Sequence, residues 1–175
     1  TEIYTLSLHD ALPICPADLA TDNAKSLDAV FHAITWHEVS GFNFDLVLIL
    51  QPTSPLRTSE DIDRAVELLF SRKALAVVSV CETEHHPWWS NTLPENGSMT
   101  EFLRPEALNV NRQNLPPYYR LNGAIYLADI QFLKGSHSFY GPGTFACVMS
   151  VDHSVDIDSL LDFHLAEVVV SESYK

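Results

Sequence analysis

The chain has 175 residues, 46% of them hydrophobic, with 10 Lys and Arg against 23 Asp and Glu and a formal net charge of −13 at pH 7. That length and apolar content suffice for one domain with a core, and so negative a chain, with no Lys/Arg stripe to offset it, excludes a nucleic-acid partner. The longest apolar runs, Leu46 to Leu50 and Ala74 to Val80, fall far short of the roughly 20 residues of a membrane span, so a soluble protein without membrane attachment is expected, and its three widely separated cysteines fit a reducing, cytoplasmic setting.

Taken in order, Thr1 to Ile14 (TEIYTLSLHDALPI) reads as the conceptual translation of a sequencing-library adaptor. Residues 1–14 are therefore set apart from fold reasoning, as a tag would be. Cys15 is a junction residue, and 15–175 is expected to be a partial domain whose reading frame is truncated at its 5′ side. Ser26, Leu27, Val30, Phe31, Ala33, Ile34 and Trp36 recur at helical spacing, with Gly41 as the stop. Phe44 to Gln51 reads as a buried strand, ended by Pro52 and Pro55. Thr58 or Ser59, followed by Glu60 and Asp61, opens a helix through about Arg72. Ala74 to Val80 is a second buried strand. From Cys81 to Tyr119 the chain turns to Pro, Asn, Glu and aromatics without periodicity and reads as an arm-like excursion (81–119). Strands at Gly123 to Ala128 and Phe145 to Val151 and a helix from Ser159 to about Ser171 close the chain. Helices alternating with apolar strands predict an α/β fold, a mostly parallel sheet flanked by helices.

Cys15, Cys81 and Cys147 are odd in number and contain no CxxC pair, so they suggest neither a disulfide framework nor a zinc site. Cys81 and Cys147 occupy strand-like positions and read as small core residues. His85-His86 would point apart in an extended chain, with no third ligand spaced to join them, and reads as loop.

Three polar clusters could carry chemistry. Gln51-Pro52-Thr53-Ser54-Pro55-Leu56-Arg57 follows a strand, where open α/β sheets bind ligands. It offers an amide, hydroxyls and a guanidinium for a carboxylate or phosphate, but its composition equally suits a turn capping the next helix. Asp156-Ile157-Asp158 places two carboxylates on one side of an extended segment, a provision for Mg²⁺; helix capping is the competing reading. Arg112 to Pro116 and Tyr119 to Ala124 supply two arginines, Arg112 and Arg120, among tyrosines and amides that would suit a sugar acid. Gly123 there permits close backbone approach or an unusual dihedral, and a solvent-facing turn is the plainer alternative.

The ordered segments LATDNAKS, LQPTSPLRTSEDIDRAVELL, NRQNLPPYYRLNGAIYLAD and VDIDSLLDFHLAE together resemble the acylneuraminate cytidylyltransferase family, over essentially Pro16 to the end. The resemblance implies a Rossmann-like, nucleotide-diphospho-sugar transferase-like fold. It implies transfer of CMP from CTP to a nonulosonic (sialic-type) sugar acid, with release of pyrophosphate and a need for Mg²⁺. It assigns Gln51, Thr53 and Ser54, with Arg57 beside them, to the substrate crevice, Arg112, Asn122 and Tyr126 to the sugar site, Asp156 and Asp158 to the metal and catalysis, and Asp22 and Ser26 to the nucleotide. The excursion resembles the family's dimerisation arm, which implies a homodimer. One departure is severe. The family's first strand and its basic R-x-G-S-K-x phosphate loop have no counterpart here, so the chain as given is expected to be inactive. A legionaminic or pseudaminic acid synthetase, or a non-catalytic sugar-acid-binding or dimerising module, stands as the alternative.

Overall fold

The computed structural model describes residues 16–21, 23–108 and 110–173. Its strands are β1 (Leu46–Ile49), β2 (Ala76–Glu82), β3 (Tyr119–Asp129) and β4 (Thr144–Val148), and its helices α1 (Ser26–Val39), α2 (Ser59–Ser71), α3 (Ile130–Ser136) and α4 (Leu160–Ser173). The strands form one sheet in the order β1-β3-β2-β4. β3 is antiparallel to both β1 and β2, and β2 is parallel to β4. Thus β1, β2 and β4 share a direction, as alternating helices and strands anticipate, and β3 alone opposes them. The α/β class holds, in a sheet that is mixed rather than mostly parallel in its ladders. The reason is that β3 returns along β2 as the second limb of a long hairpin and inserts beside β1. No helix among the described residues is long and apolar enough to cross a membrane.

Successive residues of a strand face opposite sides, and the core divides accordingly. Val77, Ile125, Leu127 and Cys147 pack with Ala65 and Leu69 of α2 on one face. Ala76, Val78 and Ala128 pack with Ile34 of α1 and with Ile130 and Leu133 of α3 on the other. This two-sided burial explains the largely apolar character of β2, broken inside the strand only by Ser79. Cys81 and Cys147 are buried, as expected of core residues. The seven-residue α3 was not legible in the sequence. It starts because Asp129 Oδ1 accepts the Phe132 amide at 2.8 Å, and it stops at His137, which adopts a left-handed conformation.

The hairpin excursion begins later and ends earlier than 81–119, since β2 runs to Glu82 and pairs there with Tyr119. Its base is stapled. Thr83 N donates to Tyr118 O at 2.9 Å, and Trp88 Nε1 donates to the Tyr118 hydroxyl at 3.1 Å. His86 accepts the Trp88 amide on Nδ1, which leaves Nε2 to donate to Pro116 O at 3.1 Å. His86 is thus a structural brace, consistent with its reading as loop.

The β2–β3 ladder carries one large irregularity. Val78 pairs with Tyr126 and Val80 with Leu121, so Ser79 alone faces residues 122–125. Its side chain fills the gap. Ser79 Oγ accepts Ile125 N at 2.7 Å and lies 3.2 Å from Ile125 O and 2.6 Å from Asn122 Oδ1. Asn122 Oδ1 also accepts Ala124 N at 3.3 Å, and Asn122 Nδ2 donates to Ser154 Oγ at 2.8 Å. Buried polar groups persist only when so satisfied, and here they make a bulge of β3 a fixed feature.

α2 begins with a capping box. Asp61 N donates to Thr58 Oγ1 at 3.3 Å, and Asp61 Oδ2 accepts Thr58 N at 2.9 Å. The Asp61 carboxylate also meets Arg64 and accepts from His153 Nδ1 at 2.8 Å. Burial opposes ionisation of Asp61, but the Thr58 hydrogen bonds and His153 outweigh it, and the carboxyl lies below its ordinary range. A carboxyl depressed in the folded state stabilises above its unfolded value and loses that contribution as pH falls through the folded one. Asp61→Asn should therefore lower the melting temperature at pH 7 by several degrees, as loss of about 1–3 kcal/mol implies. The gap to the unsubstituted chain should narrow only below about pH 4. Melting curves with a constant gap down to pH 3 would contradict this assignment.

Candidate active site

The carboxyl ends of β1, β2 and β4 lie at one end of the sheet, where the Gln51–Arg57 loop, the β3 bulge and the segment from Ser150 to Asp158 meet. Such a crevice is where open α/β sheets bind ligands. Gly123 sits at its centre, with φ +73° and with no room for a side chain. A Cβ there would lie 2.7 Å from Gln51 Oε1, 3.0 Å from Ser54 Oγ and 3.6 Å from Asp156 Oδ2. Glycine is thus favoured there by its dihedral, and a side chain would also oblige the end of the Gln51 side chain to shift and would crowd the Ser54 hydroxyl.

Those side chains are held from behind. Ser54, fully buried, has its hydroxyl 3.1 Å from Asn122 O and 3.5 Å from Asp156 Oδ1. Arg57 Nη1 donates to Gln51 O at 2.7 Å and to Ser54 O at 2.6 Å, curling the loop on itself. Thr53 is exposed, and its carbonyl accepts Ile157 N at 2.8 Å, which draws the aspartate segment against the loop. The structure therefore brings Gln51, Thr53, Ser54, Arg57, Gly123 and Asp156 together, with Asp158 two residues on.

Other residues from the sequence reading are placed differently. Asn122 is only 1% exposed, and both ends of its amide bond within the chain, so it supports the crevice from beneath. Tyr126 packs on the α1 and α3 face of the sheet, with its ring 5.4 Å from that of Phe139. Arg112 opens a 3-10 turn, Arg112–Asn114. Ser26 is the exposed first residue of α1. Asp22 and residues 1–15 lie outside the described residues. Arg120 grips Glu84 through Nε at 3.2 Å and Nη2 at 2.8 Å. That bond is the main reason its guanidinium holds its proton more tightly and the Glu84 carboxyl lies low; Asp156 adds to the first effect.

Asp158 does not cap α4. Ser159 and Asp162 do so: Ser159 N donates to Asp162 Oδ2 at 2.8 Å, and Asp162 N to Ser159 Oγ at 3.4 Å. The Asp158 carboxylate is exposed beyond that cap. Among the described residues no group of three or more His, Cys, Asp or Glu side chains converges on a metal position. Asp156 and Asp158 are nonetheless hard oxygen donors in number suited to Mg²⁺, which keeps several waters and substrate oxygens.

Sequence reasoning passed over Ser79, Ser154 and His153. Ser79 carried a usable signal, a lone hydroxyl within an otherwise apolar strand. His153 carried none, because its partner Asp61 lies 92 residues away.

No protein-family model matches the chain. Over 153 residues, 86% of the chain, it is 33% identical to a CMP-N,N'-diacetyllegionaminic acid synthase of Legionella pneumophila. Over 146 residues, 83% of the chain, it is 35% identical to an N-acylneuraminate cytidylyltransferase of Streptococcus agalactiae. A post-translational flagellin modification protein B of Campylobacter coli is 27% identical over 158 residues, 89% of the chain. The chain spans 64%, 34% and 66% of these relatives' own lengths.

Gly123→Ala should strain the bulge by about 1–2 kcal/mol from its dihedral alone and push Gln51 and Ser54 out of the crevice. The melting temperature should fall by several degrees, and a crystal structure of the variant should show Gln51 displaced. An unchanged melting temperature with Gln51 in place would show that the close approach is not a constraint.

Proposed function

We propose, from a chain that is a relative of the acylneuraminate cytidylyltransferase family, that it forms the sugar-acid and metal half of a CMP-sugar synthetase. The enzyme would transfer CMP from CTP to a nonulosonic acid and release pyrophosphate. One observation carries this reading: an amide, a hydroxyl and a carboxylate converge on a glycine with no room for a side chain, at the carboxyl end of an α/β sheet. The relatives' names, an N-acylneuraminate cytidylyltransferase and a diacetyllegionaminic acid synthase, frame the substrate class. Sialic, legionaminic and pseudaminic acids are the candidates. A non-catalytic sugar-acid-binding module is the reading that an absence of turnover in the chain extended with a family-type first strand and phosphate loop would favour.

In this reading Asp156 and Asp158 hold Mg²⁺, with Asp156 steadied beside the Ser54 hydroxyl and Asp158 left open to solvent by the Ser159–Asp162 cap. The ion, when bound, neutralises charge at the α-phosphate and favours ionisation of the attacking hydroxyl. Gln51 would contact the substrate, while the buried Ser54 would act from beneath by steadying Asp156, and Gly123 leaves room for both side chains over the backbone. Arg57 acts indirectly, by fixing the loop through the carbonyls of Gln51 and Ser54. Asn122 likewise holds the bulge, while substrate roles for Arg112, Tyr126, Asp22 and Ser26 rest on the family resemblance alone. The excursion, with Leu93, Met99 and Leu108 exposed, is the proposed arm of a homodimer.

The chain alone should give no CMP-sugar. Extended with a family-type first strand and an R-x-G-S-K-x loop, it should form product from CTP and a nonulosonic acid only when Mg²⁺ is present. In that extended chain Asp158→Asn should raise the Mg²⁺ requirement about tenfold or more and lower turnover sharply. Unaltered metal dependence in the variant would remove the aspartates from the metal role. Robust turnover by the unextended chain would move the phosphate site to Arg57, Arg112 or Arg120.

A further inference from the structure

Segment 150–158 reaches the crevice through few attachments. Ser154 is tied to the β3 bulge, with its hydroxyl 2.8 Å from Asn122 Nδ2 and 2.6 Å from Ser150 O. Ile157 is tied to the Gln51–Arg57 loop by the one backbone hydrogen bond to Thr53 O, at 2.8 Å on an exposed residue. Between these lies His153, in the 3-10 turn Asp152–Ser154, whose ring crosses to α2. We propose that His153 is a positioning residue: by donating from Nδ1 to Asp61 it sets the register of the segment carrying Asp156 and Asp158 against the loop carrying Gln51 and Ser54.

The chemistry of the pair suits that task. Asp61 is an anchor rather than a mobile surface acid: its side chain is 2% exposed, and its Oδ2 is already held by the Thr58 amide and hydroxyl at 2.9 and 3.0 Å. The partner oxygen therefore cannot move to follow the ring, and the ring must come to it. A Nδ1–H donates in both the neutral δ tautomer and the cation, so the tie survives a change in ring charge. A bond to an ionised acceptor is stronger than a neutral one. The His153 side chain is 39% exposed, so truncating it removes the tie without emptying a core cavity. With the tie gone, the segment beyond Ser154 keeps only the Ile157 bond and the 3.5 Å contact between Asp156 Oδ1 and the Ser54 hydroxyl among the hydrogen bonds described above. The proposal rests on the reading of Asp156 and Asp158 as metal ligands only in its consequence for the ion, and not in its geometry.

Amide hydrogen exchange by NMR on the full 175-residue chain separates the two. In His153→Ala the Ile157 amide should exchange about tenfold faster or more, the loss expected of one charge-assisted hydrogen bond. The Leu127 amide, in the centre of β3, should keep its rate. His153→Asn, whose amide can donate from near the position of Nδ1, should recover most of the protection at Ile157. Mn²⁺ affinity of the same three proteins, read by electron paramagnetic resonance, should fall several-fold in His153→Ala and recover in His153→Asn. An unchanged Ile157 rate in His153→Ala overturns the proposal. So does equal acceleration at Leu127 or failure of that variant to fold, because His153 would then stabilise the whole chain rather than place one segment. A selective change at Ile157 in a chain that binds no Mn²⁺ leaves the positioning role standing and removes the metal reading instead.

Discussion

The hydrogen bonding of one hydroxyl and one amide, Ser79 Oγ and the Asn122 side chain, decides where everything at the carboxyl end of the sheet can sit. Four residues of β3 face one residue of β2, an arrangement that leaves backbone groups without ladder partners in a buried place. Ser79 takes up Ile125, and Asn122 takes up Ala124 and reaches across to Ser154. Without these substitutes the buried groups would each cost roughly 1–3 kcal/mol, and β3 would pair straight. A straight β3 would not lift Gly123 to Gln51, Ser54 and Asp156, so a packing solution inside the sheet becomes the floor of a crevice at its edge.

Charge is distributed in the same indirect manner. In a chain of net charge −13, Arg57 is turned onto carbonyls of its own loop and Arg120 onto Glu84. Each arginine thereby rigidifies a wall of the crevice. Asp156 stands beside Ser54 and Gly123 and Asp158 is exposed two residues on, and in the proposed reading such carboxylates would meet an anionic substrate favourably only through a cation. That is the electrostatic sense of assigning the pair to Mg²⁺ and of treating the nearby arginines as scaffold.

Much of this was legible in the sequence, for identifiable reasons. The apolar runs at β1 and β2 and the helical periodicities of α1 and α2 are local patterns, and local patterns report local structure. Gly123 stood out among polar neighbours, and its conformation bears out the suspicion of an unusual dihedral. The mixed ladders were not legible, because nothing in the apolar run of β3 records which strand lies beside it. Asn122 shows the limit most clearly: the motif that contains it resembles a binding motif, yet its amide points inward to Ser79 and Ser154. Which residues cap α4 also required coordinates, since only they reveal that Ser159 and Asp162, and not Asp158, form the cap.

The claim that the crevice around Gly123 is a cation-dependent substrate site is tested most directly by paramagnetic relaxation. Amide resonances of the chain would be recorded as Mn²⁺ is added in place of Mg²⁺. Broadening centred on Thr53, Ser54, Gly123 and Ile157, and relieved by excess Mg²⁺, is the predicted result. Broadening centred on the excursion between residues 91 and 102 or around Glu84, with the Gly123 region sharp, would contradict it.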